Sequence, residues 1–179
     1  ILMVAASIGV SFWAFEKTDY AADARRHTYT VIINATRLMS ELRDAEIGQR
    51  SFALTGDDAF LSPYRAVNEL ISGHLQQLLT LTRDDDGRRH LAAMVPLVEA
   101  KLREMARVIA LRREGNVPEV QSVVARGNGR LIMDALRLQM NEFLLLQEAR
   151  FRQDELVFQE TMHILFVVLV GTSLLTFAI

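Results

Sequence analysis

Six apolar residues in one stretch, Leu91, Val95, Val98, Leu102, Met105 and Ile109, succeed each other in alternating steps of four and three. Such a 3.5-residue repeat keeps one seam of a helix turned toward neighbours that cross it at roughly 20°. Three further stretches repeat the pattern. Val31, Ala35, Leu38, Leu42, Ala45, Gln49 and Phe52 carry it, as do Phe60, Tyr64, Val67, Ile71, His74, Leu78 and Leu81. Met133, Leu136, Met140 and Phe143 form the last seam, which turns polar at Gln147 and Arg150. No segment alternates with a period of two, so strands are not expected. Four helical segments with short connections predict an all-α, antiparallel up-down-up-down four-helix bundle.

Glycine and acidic clusters punctuate these segments. Turns are expected at Thr55-Gly56-Asp57-Asp58, at Arg83 to Gly87, and at Glu114-Gly115-Asn116-Val117-Pro118. Gly56 suits the left-handed position after the first helix, and Asp57 or Asp58 can cap the second. Pro63 falls in the first turns of the second segment, where its missing N–H costs least. Asp86 is expected to cap the third segment, Arg112 and Arg113 complement its negative end, and Asn116 with Pro118 starts the fourth. Gly127-Asn128-Gly129 predicts a break, because each interior glycine costs about 1 kcal/mol relative to alanine. A short helix from Pro118 to Arg126 and a long one after it should result.

Hydrophobic residues make up half of the chain and concentrate at its two ends. Residues 1–15 (ILMVAASIGVSFWAF) carry no charge, and 161–179 (TMHILFVVLVGTSLLTFAI) contain His163 as their one ionisable side chain. Fifteen helical residues reach roughly 22 Å, short of a hydrocarbon core about 30 Å thick. The first run therefore reads as a truncated membrane helix, with a buried core helix or the apolar part of a signal peptide as alternatives. Trp13 and Phe15 stand where an aromatic belt would lie, with Glu16 and Lys17 directly after. The expected organisation is a membrane helix over 1–15, a sensor bundle over 16–160 and a second membrane helix over 161–179. The first and last bundle helices should continue into those spans.

The formal charge of -2 and the lack of a basic face argue against a nucleic-acid partner. With no cysteine, a disulfide framework and a thiolate metal site are excluded. Di-iron bundles need a Glu-x-x-His pair on each of two helices, and Glu160 with His163 is the single such spacing. Asp84-Asp85-Asp86 lacks the alternating spacing of a calcium loop. No hydrolase triad, phosphate loop or dinucleotide fingerprint occurs. The expectation is no catalytic residue, no metal and no cofactor.

The densest polar stretch is DAEIGQRSFALTGD, from Asp44 to Asp57. Glu46 and Arg50 stand four apart in the favourable order, a pair worth about 0.2–0.5 kcal/mol when exposed. Gln49 falls on the apolar seam, where an unpaired amide would cost about 1–3 kcal/mol. Asp134 and Arg137 are its expected partners. Two readings stand open. These residues form a polar layer that fixes helix register, or Glu46, Gln49, Arg50 and Arg137 line a ligand pocket.

The same stretch, followed by Phe60-Leu61 and Pro63-Tyr64, resembles the signature of the third class of CHASE domains. Those are extracellular sensing modules of histidine kinases, cyclases and chemotaxis-type receptors. The run GRLIMDALR from Gly129 to Arg137, with Glu148 and Arg152, also fits, so the resemblance covers about Ala35 to Arg152. Ile47, Ser51 and Ala53 depart from it, standing where Thr, Gly and Leu are usual. The resemblance implies an antiparallel helical bundle between two membrane helices, with an effector on the cytoplasmic side. A histidine kinase is the first expectation, and a chemotaxis-type or cyclase-linked receptor, or a constitutive dimerisation anchor, the alternatives. The implied setting is the inner membrane with residues 16–160 in the periplasm. Partners expected are the lipid bilayer, a second copy in a parallel homodimer, and a small-molecule or protein signal.

Overall fold

A computed structural model describes the backbone of residues 2–177; side chains of residues 1–8, 10–11, 13–18, 21, 169, 172–173 and 175–179 fall outside the described set. Five α-helices are present among the described residues. They are α1 (Leu2–Thr55), α2 (Ser62–Leu81), α3 (Asp85–Arg113), α4 (Val117–Ala125) and α5 (Asn128–Phe177), with one 3-10 turn, Asp58–Leu61, before α2. The fifth helix comes from the break expected in the fourth segment, which separates the short α4 from the long α5. The break falls on Arg126 and Gly127, the glycine at φ +71°, and Asn128 and Gly129 already belong to α5. Among the described residues no helix is long and apolar enough to cross a membrane. Of the two stretches expected to do so, most of 1–15 and part of 161–179 lie outside the described side chains.

The chain divides into two compact units, residues 31–147 and residues 1–30 with 148–179. In the first, the apolar seams meet in one core. Leu38 and Leu42 of α1, Ile71 and Leu78 of α2, Leu91 and Met105 of α3, and Leu136 and Phe143 of α5 are all almost fully buried. Adjacent helices meet in opposite senses. Glu41 and Gly48 of α1 face His74 and Pro63 of α2, and Asp84, His90 and Lys101 face Gln147, Gln139 and Gly129 of α5.

The third seam differs from its sequence reading. Val95 and Leu102 are only partly buried, while Met94, Lys101 and Val108 are buried almost completely. The seam therefore runs Leu91, Met94, Val98, Lys101, Met105, Val108, with the same four-three steps in a shifted register. Phe60, expected on the second seam, is exposed, and His74 is half-buried with its Nδ1 2.8 Å from Glu41 Oε2.

Caps obey the physics but not always at the expected residue. Asp57 accepts from Ala59 N at the 3-10 turn, and Asn116 accepts from Glu119 N at α4. For α3 the cap is Asp84, not Asp86. Its buried carboxylate accepts from Gly87 N and, at 2.8 Å, from the Gln147 amide of α5. Asp86 sits inside the first turn and pairs with Arg89 in solvent. The second unit, taken by itself, is held by polar and aromatic contacts. Arg25 pairs with Glu155 at 3.0 Å and lies 5.8 Å from the Phe151 ring centroid, and Thr28 donates to Asp154.

Gly48 marks a very close backbone approach. A Cβ there would run into the Phe60 carbonyl of the 3-10 turn, so the turn can rest on α1 only because residue 48 has no side chain. Gly73 in α2 has open space around it. Gly73→Ala should therefore raise stability by up to about 1 kcal/mol through helix propensity. Gly48→Ala should lower it by about 1–3 kcal/mol despite the same propensity gain, because the clash is with backbone. Urea unfolding followed by circular dichroism checks both; an equal response of the two variants would contradict the packing argument.

Candidate functional site

Several charged side chains meet in the core at the level of Lys101. Lys101 of α3 is 1% exposed, and its Nζ lies 2.9 Å from Glu46 Oε1, 3.1 Å from Glu104 Oε2 and 3.2 Å from the Gly129 carbonyl. An ammonium has three protons, and each finds an acceptor, from α1, α3 and α5 respectively. Glu46 Oε1 also accepts from Arg50 Nη2 at 3.0 Å. Two cations and two carboxylates thus share one site, which is the condition for keeping an ammonium charged in a core.

Local sequence explains the convergence. Lys101 and Glu104 are one helical turn apart, so they share a face of α3. Gly129 lies in the first turn of α5, where its carbonyl is within reach, and a Cβ there would overlap the Glu104 carboxylate. The glycine after the α4–α5 break thus makes room for the carboxylate that flanks Lys101.

The residues singled out from sequence separate into two groups. Glu46 and Gln49 are buried on α1, and Arg50 lies beside them, largely exposed. Asp134 and Arg137 are not the partners of Gln49. They pair with each other at 2.8 Å on an exposed face of α5, one position past the seam residues Met133 and Leu136. Gln49 Nε2 is buried with no hydrogen-bond partner among the described residues. Arg137 instead borders a groove with Arg43, Thr36 and Asn141 between α1 and α5.

Arg50 leads from the buried charges to a cleft of about 440 Å³ at the turn end of this unit. Leu54 of α1 and Val117, Val120 and Val124 of α4 form its apolar walls, and Arg112 of α3 is its second cation. The Arg112 Nε–H is buried and has no acceptor among the described residues, a state that costs about 1–3 kcal/mol. Its guanidinium occupies the space left by Gly56, which takes φ +78° after α1. Arg113, next in sequence, turns away to Asp58 at 3.1 Å and to the Phe52 ring. Nearby Tyr64 joins two core clusters, and burial pushes its phenol above the ordinary range while Arg113 partly offsets the effect.

Sequence reasoning misses both Lys101 and Arg112 as site residues. Arg112 reads from sequence as a helix-end complement, and Lys101, beside Leu102 of the expected seam, is not singled out. The spacing Leu91, Met94, Val98, then three steps to Lys101, is the available signal. Among the described residues no group of three His, Asp or Glu side chains could hold a metal ion.

Removing one member of a buried ion group leaves the others uncompensated, at a cost of about 3–5 kcal/mol. Lys101→Met should show a loss of that size in urea unfolding. The double variant Lys101→Met with Glu46→Gln should lose clearly less than the two single losses combined. Simple additivity would mean that the ammonium and the Glu46 carboxylate are not coupled.

The family described as the CHASE3 domain matches residues 21–155, which contain the whole polar stretch, the cleft and the start of α5. The match extends the resemblance seen from Ala35 onward by one more helical stretch toward the N-terminus. Neither the curated proteins nor the solved structures gave a match. With three quarters of its length matched, the chain belongs to the CHASE3 domain family, the extracytoplasmic sensing domains.

Proposed function

We propose that this chain is the sensing part of an inner-membrane receptor, held in the bilayer at both ends and most simply coupled to a cytoplasmic histidine kinase. The observation that carries the reading is the CHASE3 match over residues 21–155, with the apolar stretches 1–15 and 161–179 beyond it on either side. Helices α1 and α5, of 54 and 50 residues, support it, since each joins a flanking stretch to bundle residues without a break. A signal bound by the bundle would be passed on as a small piston, tilt or rotation of these helices, which needs no chemistry in the chain itself.

A parallel homodimer belongs to the same reading. Leu131, Leu138 and Leu145 stand seven apart on α5, all more than half exposed, on the side opposite the seam of Met133, Leu136 and Met140. A repeated apolar stripe on the outside of a long helix supports pairing with the same stripe of a second copy.

The chain contains no cysteine, so a single introduced thiol reports without background. Ser72→Cys, on an exposed position of α2, should react in intact cells with a membrane-impermeant maleimide. Labelling only after lysis, or recovery of the protein from the soluble fraction, would overturn the topology. Leu138→Cys should form a disulfide between copies in membranes, and Leu138→Glu should shift the purified protein toward monomer. Leu138→Cys copies that stay uncrosslinked, together with a dimer untouched by the glutamate, would remove α5 as the contact.

A further inference from the structure

We infer that the cleft between α1, α3 and α4 is the ligand site of this sensor, and that it takes a small amphipathic anion, a monocarboxylate with an apolar body. The inference deepens the sensing reading and rests on it.

Arg50 and Arg112 both border the cleft, and among the described residues no acidic side chain lines it. Glu46, the acid bonded to Arg50, divides its oxygen between Arg50 and the buried Lys101, so its charge is already committed. Glu119, the acid at the start of α4, is taken by Arg126 and Arg107. The cleft therefore has two guanidinium groups and no acidic side chain in its described lining.

The buried Nε–H of Arg112 lacks an acceptor among the described residues, although the charges around Lys101 are satisfied closely. A guanidinium edge presents paired donors whose spacing matches the two oxygens of a carboxylate, and burial strengthens such a contact. Arg50 is more exposed and keeps donors free beyond its one bond to Glu46.

The remaining wall is apolar, and Leu54 is 84% exposed at its rim, with Val117 and Val124 also open to solvent. A multiply charged ion such as phosphate would leave this surface uncovered and would find few donors. A body of several carbons would cover it. A volume of about 440 Å³ falls within the range of small-molecule sites, and the combination of apolar lining with a few convergent polar groups is their usual chemistry.

The site also lies where binding can be felt. Its walls come from the ends of α1 and α3 and from α4, which is linked to α5 through the Gly127 break. A ligand drawing α4 toward Arg50 and Arg112 would bear on the start of α5, where Gly129 holds the Lys101 ammonium.

The test uses three probes of equal chain length, octanoate, octanol and octylammonium, titrated into the purified protein below the micelle concentrations of the two ions and the solubility limit of the alcohol. Calorimetry should show octanoate binding saturably, with octanol at least tenfold weaker and octylammonium weaker still. Arg112→Met, which keeps much of the stem, should weaken octanoate at least tenfold and leave octanol unchanged. Val124→Asp places a carboxylate on the exposed wall and should abolish octanoate binding without disturbing the core, whatever the stability of Arg112→Met. No octanoate binding, equal affinity for all three probes, or full affinity in both variants would overturn the inference. The Ser72→Cys labelling does not depend on octanoate, so a failed cleft and a failed receptor topology give different results.

Discussion

The Lys101 ammonium is the point at which three helices are obliged to agree. Its acceptors come from Glu46 on α1, Glu104 on α3 itself and the Gly129 carbonyl on α5, and Lys101 is 1% exposed. Apolar seams tolerate small slides, because one methyl contact replaces another at little cost. A buried ammonium does not, because each proton needs an oxygen at about 3 Å. Sliding α1 or α5 by one turn would leave a cation or a carboxylate stranded in the core. The apolar residues supply most of the driving force for assembly, and the charge group at Lys101 has all its acceptors in the register the structure shows.

Two glycines make that register possible. Gly48 lets the 3-10 turn after α1 rest directly on the helix, which brings Leu61 into the core beside Phe52 and Ile109. Gly129 leaves the space in which the Glu104 carboxylate reaches Lys101. Neither glycine is there for a left-handed backbone, since both sit inside helices; each serves by what it lacks. The polar centre and the cleft are joined through Arg50, whose guanidinium is bonded to Glu46 on one side and borders the cleft on the other. The charge-paired layer thus lies next to an apolar opening, and one arginine joins them.

The helices, their turns and most of their buried faces are legible in the chain. Four-three spacing names Leu38, Leu42, Ile71, Leu78, Leu136 and Phe143 correctly as core, because helical period and burial are the same geometric fact. Asn116 and Gly56 are legible as helix ends for equally local reasons. The seam of α3 reads wrongly through Val95 and Leu102 because a charged residue at 101 looks like solvent-facing sequence. Asp86 reads as the α3 cap because three adjacent aspartates offer no local way to choose; the Gln147 amide, 63 positions away, goes with Asp84.

What the sequence determined by itself is therefore what depends on neighbours along the chain: helical period, turn chemistry, the apolar stretches and the signature string from Asp44 to Asp57. The tertiary structure decided what depends on neighbours across it. It paired Glu46 with Lys101, set Asp134 and Arg137 on each other in solvent, and placed Arg112 with Arg50 at one apolar cleft. The reason is electrostatic. An apolar side chain accepts almost any apolar neighbour, so its place can be read from spacing alone. A charged one is buried only beside particular partners, and those are brought together by the packing of separate helices.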